Sequence, residues 1–536
     1  MNSVFPGISF SPRAYAFSVL ILITIGIFIR IINFPAIPPG FNQDEASSAY
    51  EAFCLAETGK DRWGNVLPAY FPAWGSGQNV LLSYLSAPIV KIFGLSIFSS
   101  RLVSLILGIL TLPLFYFCLR PLGRFPAFLG LLLIVVIPWH FMLSRWALES
   151  NLAPFFMLLG CFFLIRAFAA NGSKWILPSL IPFALALYGY GTTIVVLPTL
   201  FTLLLLFFRE RIRLQWKRWL AAFSLFILAA LPFLLFFIEN YLLKKNLTWT
   251  DSLFFSTPLL PSSRLGQVEA ADWKETALHN LRFFMGGFDD GSNYNLIPGF
   301  KLLLFFTVPA SVIGIVAAGI RSFPSIKTNK PDKENSVVFI FFSWAIASLA
   351  LIFSFELNVN RFNHFYLPGL ALVAWFVNLI LTNLKDTAPK TTIKLLLLTW
   401  LILESSITIR YYFKEYPKES IRHHFNIGLG EAFAAARNLP VDQVRITDQM
   451  PLPYVYTLFY LQIPPKQFQT EAAYEIRDGV YKVNRFGKYI FYDEFLKPGK
   501  EYGYLSRKDE YQANENRTKE IIFSNELWEV GIIHYK

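Results

Sequence analysis

The sequence predicts a polytopic α-helical membrane protein that carries a small α/β domain at its C-terminal end. Of its 536 residues, 54% are hydrophobic, 17% are aromatic and only 16% are charged, whereas about a quarter of the residues in a soluble domain are charged. Apolar runs of about 20 residues recur along most of the chain, and each is long enough to cross a bilayer. The formal charge of +12 comes largely from short loops between these runs, so topology explains it and no nucleic-acid partner is expected.

Eleven spans are predicted. They cover about residues 15–33, 102–119, 125–143, 150–168, 175–189, 191–208, 219–238, 300–320, 336–355, 363–382 and 392–410. No small-residue cleavage site follows the first span, so we expect it to remain in the membrane. Placing the N-terminus in the cytoplasm puts five Arg- and Lys-rich loops inside, which is what the positive-inside rule requires. The sequence therefore predicts a multi-pass protein of the cell (inner) membrane.

One further apolar stretch, residues 79–98, is not counted as a span. It contains several polar residues and a proline (Asn79, Ser83, Ser86, Pro88 and Lys91). We interpret it as an interfacial or re-entrant helix in the first outer loop. If it did span, every later loop would change side, and the Arg-rich loop 209–218 would lie outside.

The predicted organisation has two domains. Residues 1–414 form the membrane domain, with large outer loops at 34–101 and 239–299. Residues 415–536 are polar and mixed, and predict an exoplasmic soluble α/β domain. Its expected elements are a helix at Glu431–Asn438, a strand at Val444–Thr447 and an alternating segment at Glu520–Val530.

The adjacent carboxylates Asp44 and Glu45 are the first candidate for function. They follow the first span in an otherwise apolar chain, and charges close to hydrocarbon are costly and usually functional. The ordinary alternative is an acidic pair that caps a helix beginning near Ala46. If one carboxylate is a base, Glu45→Gln should be milder than Asp44→Asn, since neighbours on a helix point about 100° apart.

Other polar residues are predicted at the same membrane surface. They are Arg101, Arg145, Glu149, Arg361 and His364. Arg145 and Glu149 are four residues apart and would share one face of a helix. Each has an ordinary explanation, such as an arginine that reaches lipid phosphate or a packed histidine. As a set, carboxylates and arginines on one face suit the displacement of an anionic leaving group, with a carboxylate base and cations or a metal that stabilise the leaving phosphate.

These residues carry a resemblance to a known family. The sequence resembles the membrane-embedded glycosyltransferases that use polyprenyl-phosphate sugars, such as protein O-mannosyltransferases and the aminoarabinose transferases of lipid A. The matching features are Asp44-Glu45, the Gly59, Gly64 and Pro68 pattern, the segment Arg101–Gly108, the segment Ser144–Glu149, and Arg361 shortly before Pro368. The similarity covers about residues 10–410. The family often has Asp at its second outer acidic position, where this chain has Glu149.

The resemblance implies a GT-C fold and an inverting transfer of a hexose or pentose from a polyprenyl-phosphate carrier to a protein, lipid or glycan acceptor at the outer face. Asp44 would be the base or a carboxylate that orients the acceptor, with Glu45 and Glu149 as further catalytic candidates. Arg101, Arg145 and Arg361 would hold the donor phosphate. A divalent metal is a candidate cofactor, with Glu149 and His364 as candidate ligands, and no nucleotide cofactor is expected.

Other functions stay open from the sequence. A transporter or flippase of lipid-linked or surface polysaccharide components would place ionisable groups near mid-membrane, often with repeat symmetry. The sequence has no obvious repeat, and Glu404 is the exception among spans with few deep charges. A scaffold that displays the tail would leave the charged outer loops unexplained. Transfer of a pre-built glycan is a variant of the enzyme hypothesis.

Overall fold

Helices occupy each of the eleven segments that the sequence predicts to be spans. The computed structural model describes residues 11–169, 172–262, 272–328, 332–385, 387–497, 500–511 and 517–535. The helices in chain order are α1 (Pro12–Ile31), α2 (Gln43–Thr58), α3 (Leu81–Phe93), α4 (Ile97–Leu119), α5 (Arg124–Val136), α6 (Pro138–Leu143), α7 (Ala153–Ala167), α8 (Ile181–Gly189), α9 (Thr193–Leu214), α10 (Trp216–Phe237), α11 (Trp273–Met285), α12 (Thr307–Thr328), α13 (Lys333–Leu349), α14 (Asn363–Asn383), α15 (Thr387–Lys414), α16 (Ile421–His424), α17 (Leu429–Arg437), α18 (Pro453–Leu461) and α19 (Pro465–Glu471).

The predicted multi-pass membrane protein is confirmed. Within the described ranges, nine helices are long and apolar enough to cross a membrane. The predicted spans 125–143 and 175–189 correspond to shorter helices. The first of these is interrupted at Ile137, which is extended because it precedes Pro138, and α6 then continues the segment.

Helix α3 is the apolar stretch that was not counted as a span. It has 13 residues, so it is about 20 Å long, less than the hydrocarbon core of about 30 Å. The hydroxyl of Ser83 donates a hydrogen bond of 2.8 Å to the carbonyl of Ser48 in α2. Helix α3 therefore packs on the first outer loop and is too short to span.

The C-terminal segment contains a seven-stranded mixed sheet. Its strands are β1 (Val444–Ile446), β2 (Ala473–Arg477), β3 (Val480–Phe486), β4 (Tyr489–Ile490), β5 (Tyr502–Arg507), β6 (Arg517–Ser524) and β7 (Trp528–Tyr535), in the order β2-β3-β4-β1-β5-β7-β6. The buried strand β1 pairs in parallel with β4 and β5, and the other pairs are antiparallel. The small α/β domain is thus confirmed.

The predicted elements of the tail differ in one place. The predicted helix and first strand correspond to α17 and β1. The alternating segment Glu520–Val530 is not one strand, because β6 ends at Ser524 and β7 begins at Trp528. Between them the side chain of Asn525 accepts hydrogen bonds from the backbone N–H groups of Leu527 and Trp528, which closes a β-hairpin. The sequence pattern of Glu520–Val530 did not reveal this turn, because polar and apolar residues are mixed throughout the segment.

Helix α2 shares a hydrophobic core with the C-terminal sheet domain. Phe41 and Tyr50 are fully buried in the same cluster as Phe459 and Trp528. The rings of Phe41 and Phe459 stack with centroids 4.5 Å apart, and the Tyr50 hydroxyl donates to the carbonyl of Ile463 at 2.8 Å. The helix of loop 34–101, which the sequence assigns to the membrane domain, thus packs against the C-terminal domain.

The orientation in the membrane is testable with a membrane-impermeant thiol reagent on intact cells. We expect Asn438→Cys in the tail to be labelled and Arg213→Cys in loop 209–218 to be protected until the cells are opened. Both positions are exposed. The native cysteines 54, 118 and 161 are buried, so the unsubstituted protein gives the background labelling. Labelling at Arg213→Cys with protection at Asn438→Cys would reverse the predicted topology.

Candidate active site

The first outer loop presents Asp44 at the beginning of helix α2. Asn42 is the N-cap, and its side chain accepts a hydrogen bond of 2.9 Å from the Asp44 backbone N–H. Glu45 completes a capping box by accepting from the Asn42 backbone N–H at 3.1 Å. The helix ends at Gly59, whose φ of +67° is the left-handed conformation that favours glycine. Asp44 therefore lies at the positive end of the α2 helix dipole.

Glu45 is committed to a buried ion pair. Its two carboxylate oxygens each accept a hydrogen bond of 2.8 Å from Arg101, from Nε and Nη2 respectively, and neither side chain is exposed to solvent. A further bond of 2.8 Å comes from the backbone N–H of Ala147. The capping explanation thus holds for Glu45, while its neighbour Asp44 is half-buried beside open space.

Arg101 has no N–H group left for a phosphate. Besides Glu45, its guanidinium donates to the carbonyls of Pro35 at 2.7 Å, Pro38 at 2.8 Å and Gly40 at 2.9 Å. Together these bonds use all five donors of the guanidinium. The arrangement favours a structural role, in which Arg101 fixes the backbone that leads into α2.

Arg145 has a similar structural role at the C-terminal end of α1. Its guanidinium donates to the carbonyls of Arg30 at 2.8 Å and Ile32 at 2.7 Å, at the C-terminal end of α1, and to the carbonyl of Ile37 at 3.2 Å. A cation at this end of a helix satisfies the last carbonyls and interacts favourably with the helix dipole. Arg145 is fully buried, so its contacts also favour a structural role over donor binding.

The structure separates Arg145 from Glu149. Helix α6 ends at Leu143, so the four-residue spacing between Arg145 and Glu149 is not helical, and the expected shared face is absent. Glu149 is buried and accepts a hydrogen bond from the backbone N–H of Asn79, which precedes α3. It therefore helps to anchor the first outer loop on α7.

A cavity of about 640 Å³ brings Asp44 and Arg361 together. Its lining residues come from loop 34–101, from the ends of membrane helices and from the C-terminal domain. They are Asn42, Gln43, Asp44, Ser76, Trp146, Leu148, Tyr190, Tyr294, Asn358, Asn360, Arg361, His423, His424, Asn426, Pro451 and Arg507. Of the seven residues that the sequence proposed for the site, two are in this lining, Asp44 and Arg361.

Arg361 is held at the wall of the cavity by few contacts. Its Nη1 donates to the carbonyl of Glu356 at 2.7 Å, and its guanidinium lies 5.7 Å from the centroid of the Phe355 ring. The side chain is partly exposed. Unlike Arg101 and Arg145, it can offer part of its guanidinium to an anion in the cavity.

The C-terminal domain contributes cationic and titratable groups that sequence reasoning missed. Arg507 stacks on Trp528 at 4.0 Å and donates to the side chain of Asn426 at 2.9 Å. Its Nη1 is buried without a hydrogen-bond partner, and burial lowers the pKa of the guanidinium. His423 and His424 lie on the same wall. The His-His pair was visible in the sequence, but nothing local indicated that the tail folds over Asp44.

Similarities to known proteins agree with this architecture. Residues 78–250 match the family model described as dolichyl-phosphate-mannose-protein mannosyltransferase. ArnT from Cupriavidus metallidurans in the apo state is 12% identical over 97% of both chains, with a TM-score of 0.57. The same protein bound to undecaprenyl phosphate gives 13% identity over 97% of both chains and a TM-score of 0.54.

The chain has the GT-C glycosyltransferase fold.

A longer archaeal protein shares this GT-C fold. The Archaeoglobus fulgidus oligosaccharyltransferase, tethered with an acceptor peptide that contains the NVT sequon, is 14% identical with a TM-score of 0.55. The match covers 84% of this chain but only 63% of that one, so this GT-C protein spans less than two thirds of the archaeal enzyme. Among curated proteins, none matches the sequence.

The candidate metal ligands of this GT-C protein do not form a metal site. Within the described ranges, no group of three or more His, Cys, Asp and Glu side chains is placed to hold a metal ion. His364 is buried, with Nε2 3.1 Å from the Thr193 hydroxyl and Nδ1 without a partner, and Glu149 is bonded to Asn79. These residues do not fit a metal.

The buried pair between Glu45 and Arg101 predicts that Glu45→Gln lowers the stability of the protein. The variant removes the charge that compensates Arg101, and breaking a buried pair in this way costs about 3–5 kcal/mol. We expect a clearly lower thermal midpoint of the purified protein in detergent. Lys91→Gln is the control, because it breaks the exposed Lys91–Glu57 pair, which contributes at most about 1 kcal/mol. Equal midpoints for the two variants would contradict a structural role of Glu45.

Proposed function

We propose that this protein transfers a sugar, a hexose or a pentose, from a polyprenyl-phosphate carrier to an acceptor at the outer face of the membrane, with inversion at the anomeric carbon. The observation that carries the proposal is the cavity that joins Asp44 and Arg361. It lies where the first outer loop and the tail cover the ends of the membrane helices. A lipid-linked donor can present its phosphate there from the bilayer while an acceptor enters from water.

The reaction requires a base and a stabilised leaving group. In the proposed step, an acceptor hydroxyl or amide attacks the anomeric carbon and gives its proton to the Asp44 carboxylate. The bond between the anomeric carbon and the phosphate oxygen breaks, and its electrons leave with the polyprenyl phosphate. Because attack occurs opposite the leaving phosphate, one displacement inverts the configuration. Asp44 suits the role because it is a half-buried carboxylate at the cavity wall, in the first turn of α2.

Asp44, the proposed base, is held in position by a hydrogen bond to its own backbone and by the ion pair of the next residue. The Asp44 backbone carbonyl accepts a hydrogen bond of 3.3 Å from Nε2 of Gln78, and the same nitrogen donates to the Ser48 hydroxyl at 2.7 Å. The Glu45–Arg101 pair holds the next residue. A carboxylate that is already held in place needs little reorientation during the reaction, so the free-energy cost of orienting it is small.

Arg361 is the proposed ligand of the donor phosphate. A guanidinium can form two parallel hydrogen bonds to phosphate oxygens and stabilise the charge that develops on them. Arg507, from the C-terminal domain, adds a second guanidinium to the lining of the same cavity. Trp146, Tyr190 and Tyr294 add aromatic surface to the lining of this cavity, which suits the faces of a sugar ring.

The transporter alternative loses its main support. Glu404, the carboxylate predicted inside the last span, accepts hydrogen bonds from the backbone N–H of Phe305 at 2.9 Å and from the Trp400 indole at 2.6 Å. These contacts give Glu404 a local role in helix packing, so it needs no transport function.

Asp44→Asn tests the base. The amide is nearly isosteric but cannot accept the acceptor proton, so we expect the turnover number to fall by about 10²–10⁴ with an unchanged thermal midpoint. The assay is transfer from a synthetic polyprenyl-phosphate sugar by purified protein. Glu57→Gln is the matched control, since Glu57 is an exposed carboxylate at the other end of the same helix. Near-normal turnover of Asp44→Asn would remove the base from the proposal.

Arg361 variants test the donor site. Arg361→Ala should raise the KM for donor more than the KM for acceptor, and Arg361→Lys should be intermediate because it keeps the charge but loses the planar fork. Arg485→Ala, an exposed arginine of β3 outside the cavity, is the control. Arg145→Ala should instead lower the thermal midpoint, since its donors hold backbone carbonyls. A donor KM that is unchanged in Arg361→Ala and raised in a stable Arg145→Ala would exchange the two assignments.

A further inference from the structure

A second cavity, of about 650 Å³, lies among the helix ends on the other side of the molecule. Four cationic side chains line it, each from a different helix or helix end: Arg120 after α4, Arg166 in α7, Arg211 in α9 and Lys333 in α13. We call these four residues the basic cluster.

The basic cluster is at the opposite membrane surface from Asp44. Arg101, which is bonded to Glu45, and Arg120 are 19 residues apart along one nearly continuous helical segment, which corresponds to about 28 Å. This is close to the thickness of the hydrocarbon core. The cavity is therefore at the depth where phospholipid headgroups of the opposite leaflet lie.

The charge of the cavity is strongly one-sided. Among its lining residues, four are cationic and Asp332 is acidic. The Asp332 carboxylate is the N-cap of α13 and accepts a hydrogen bond of 2.6 Å from the backbone N–H of Asn335. It therefore already serves the helix end, and the cavity retains an excess of positive charge.

One member of the basic cluster is fixed by the fold. Nη1 of Arg211 donates to the carbonyl of Phe168 at 2.5 Å and contacts the Ser336 hydroxyl at 3.4 Å. These bonds hold the guanidinium partly buried between α9, α13 and the end of α7. A cation that only reached towards water would not be tied to two other segments.

The remaining wall of the cavity is apolar. It includes Phe117, Ile165 and Val337, and Phe117 is 48% exposed on α4, within a membrane-spanning helix. The cavity thus joins a cationic surface to side chains that face hydrocarbon. This combination suits a ligand with an anionic head and an acyl chain better than a free anion.

We propose that the basic cluster binds the phosphate headgroup of an anionic phospholipid in the leaflet opposite the Asp44 cavity. Arginine forks bind phosphate oxygens, and basic pockets between membrane helices suit such headgroups. The acyl chains lie along the outer face of α4 beside Phe117. This site is separate from the proposed transfer reaction and does not depend on it.

The test measures lipid binding to the full-length, delipidated protein in detergent by native mass spectrometry, without an activity assay. The probes are phosphatidylglycerol, phosphatidylcholine and inorganic phosphate. We expect phosphatidylglycerol to bind more tightly than phosphatidylcholine, and inorganic phosphate at millimolar concentration to leave that binding unchanged. Each cation near a membrane surface contributes about 1 kcal/mol, which corresponds to about a fivefold change in Kd.

The main variant is Arg120→Gln/Arg166→Gln, because both side chains are exposed and their loss should not impair folding. It should weaken phosphatidylglycerol binding about 25-fold. Arg213→Gln is the control, since Arg213 is on the same helix as Arg211, 77% exposed and outside the cavity. Unchanged binding in the double variant, an equal loss in Arg213→Gln, or displacement of the lipid by inorganic phosphate would each overturn the proposal.

Discussion

Two buried arginines and the carbonyls that they bind determine where the proposed base lies. The backbone between α1 and α2 turns sharply, and its carbonyls at residues 30, 32, 35, 38 and 40 point to the guanidinium groups of Arg145 and Arg101. Unpaired, these buried carbonyls would each be costly. Glu45 compensates the charge of Arg101 and ties it to the first turn of α2. Asp44, one residue earlier, is thereby held at the cavity wall.

The second constraint is the core that α2 shares with the C-terminal sheet domain. Gly40 shows how close the two regions come, because its φ is +80° and a Cβ there would be 2.0 Å from the carbonyl oxygen of Phe425. The segment around Phe425 carries His423 and His424 to the same cavity. The tail thus belongs to the site, and the proposed acceptor path passes between a membrane helix bundle and a soluble domain.

The two membrane surfaces of the molecule differ in chemistry. At the Asp44 surface, one cavity is lined by a carboxylate, by Arg361 and Arg507 and by aromatic side chains, which are the groups that the proposed displacement requires. At the other surface, the described residues that line the basic cavity include no carboxylate beyond the one that caps α13. The first arrangement suits chemistry and the second suits binding of an anion.

The sequence by itself determined the class of the protein, the positions of its membrane helices and the sheet domain of the tail, because hydropathy and periodicity are local properties of the chain. It also proposed Asp44 and Arg361, which the structure places in the lining of one cavity. Only the tertiary structure decided that Glu45 pairs with Arg101 and that Arg145 binds the end of α1. It also showed that the helix expected to hold both Arg145 and Glu149 ends at Leu143. It also placed Arg507, more than 450 residues from Asp44 along the chain, in the same cavity. The hydrogen-bond partner of a guanidinium is chosen by the packing of distant segments, and no spacing within one segment can specify it.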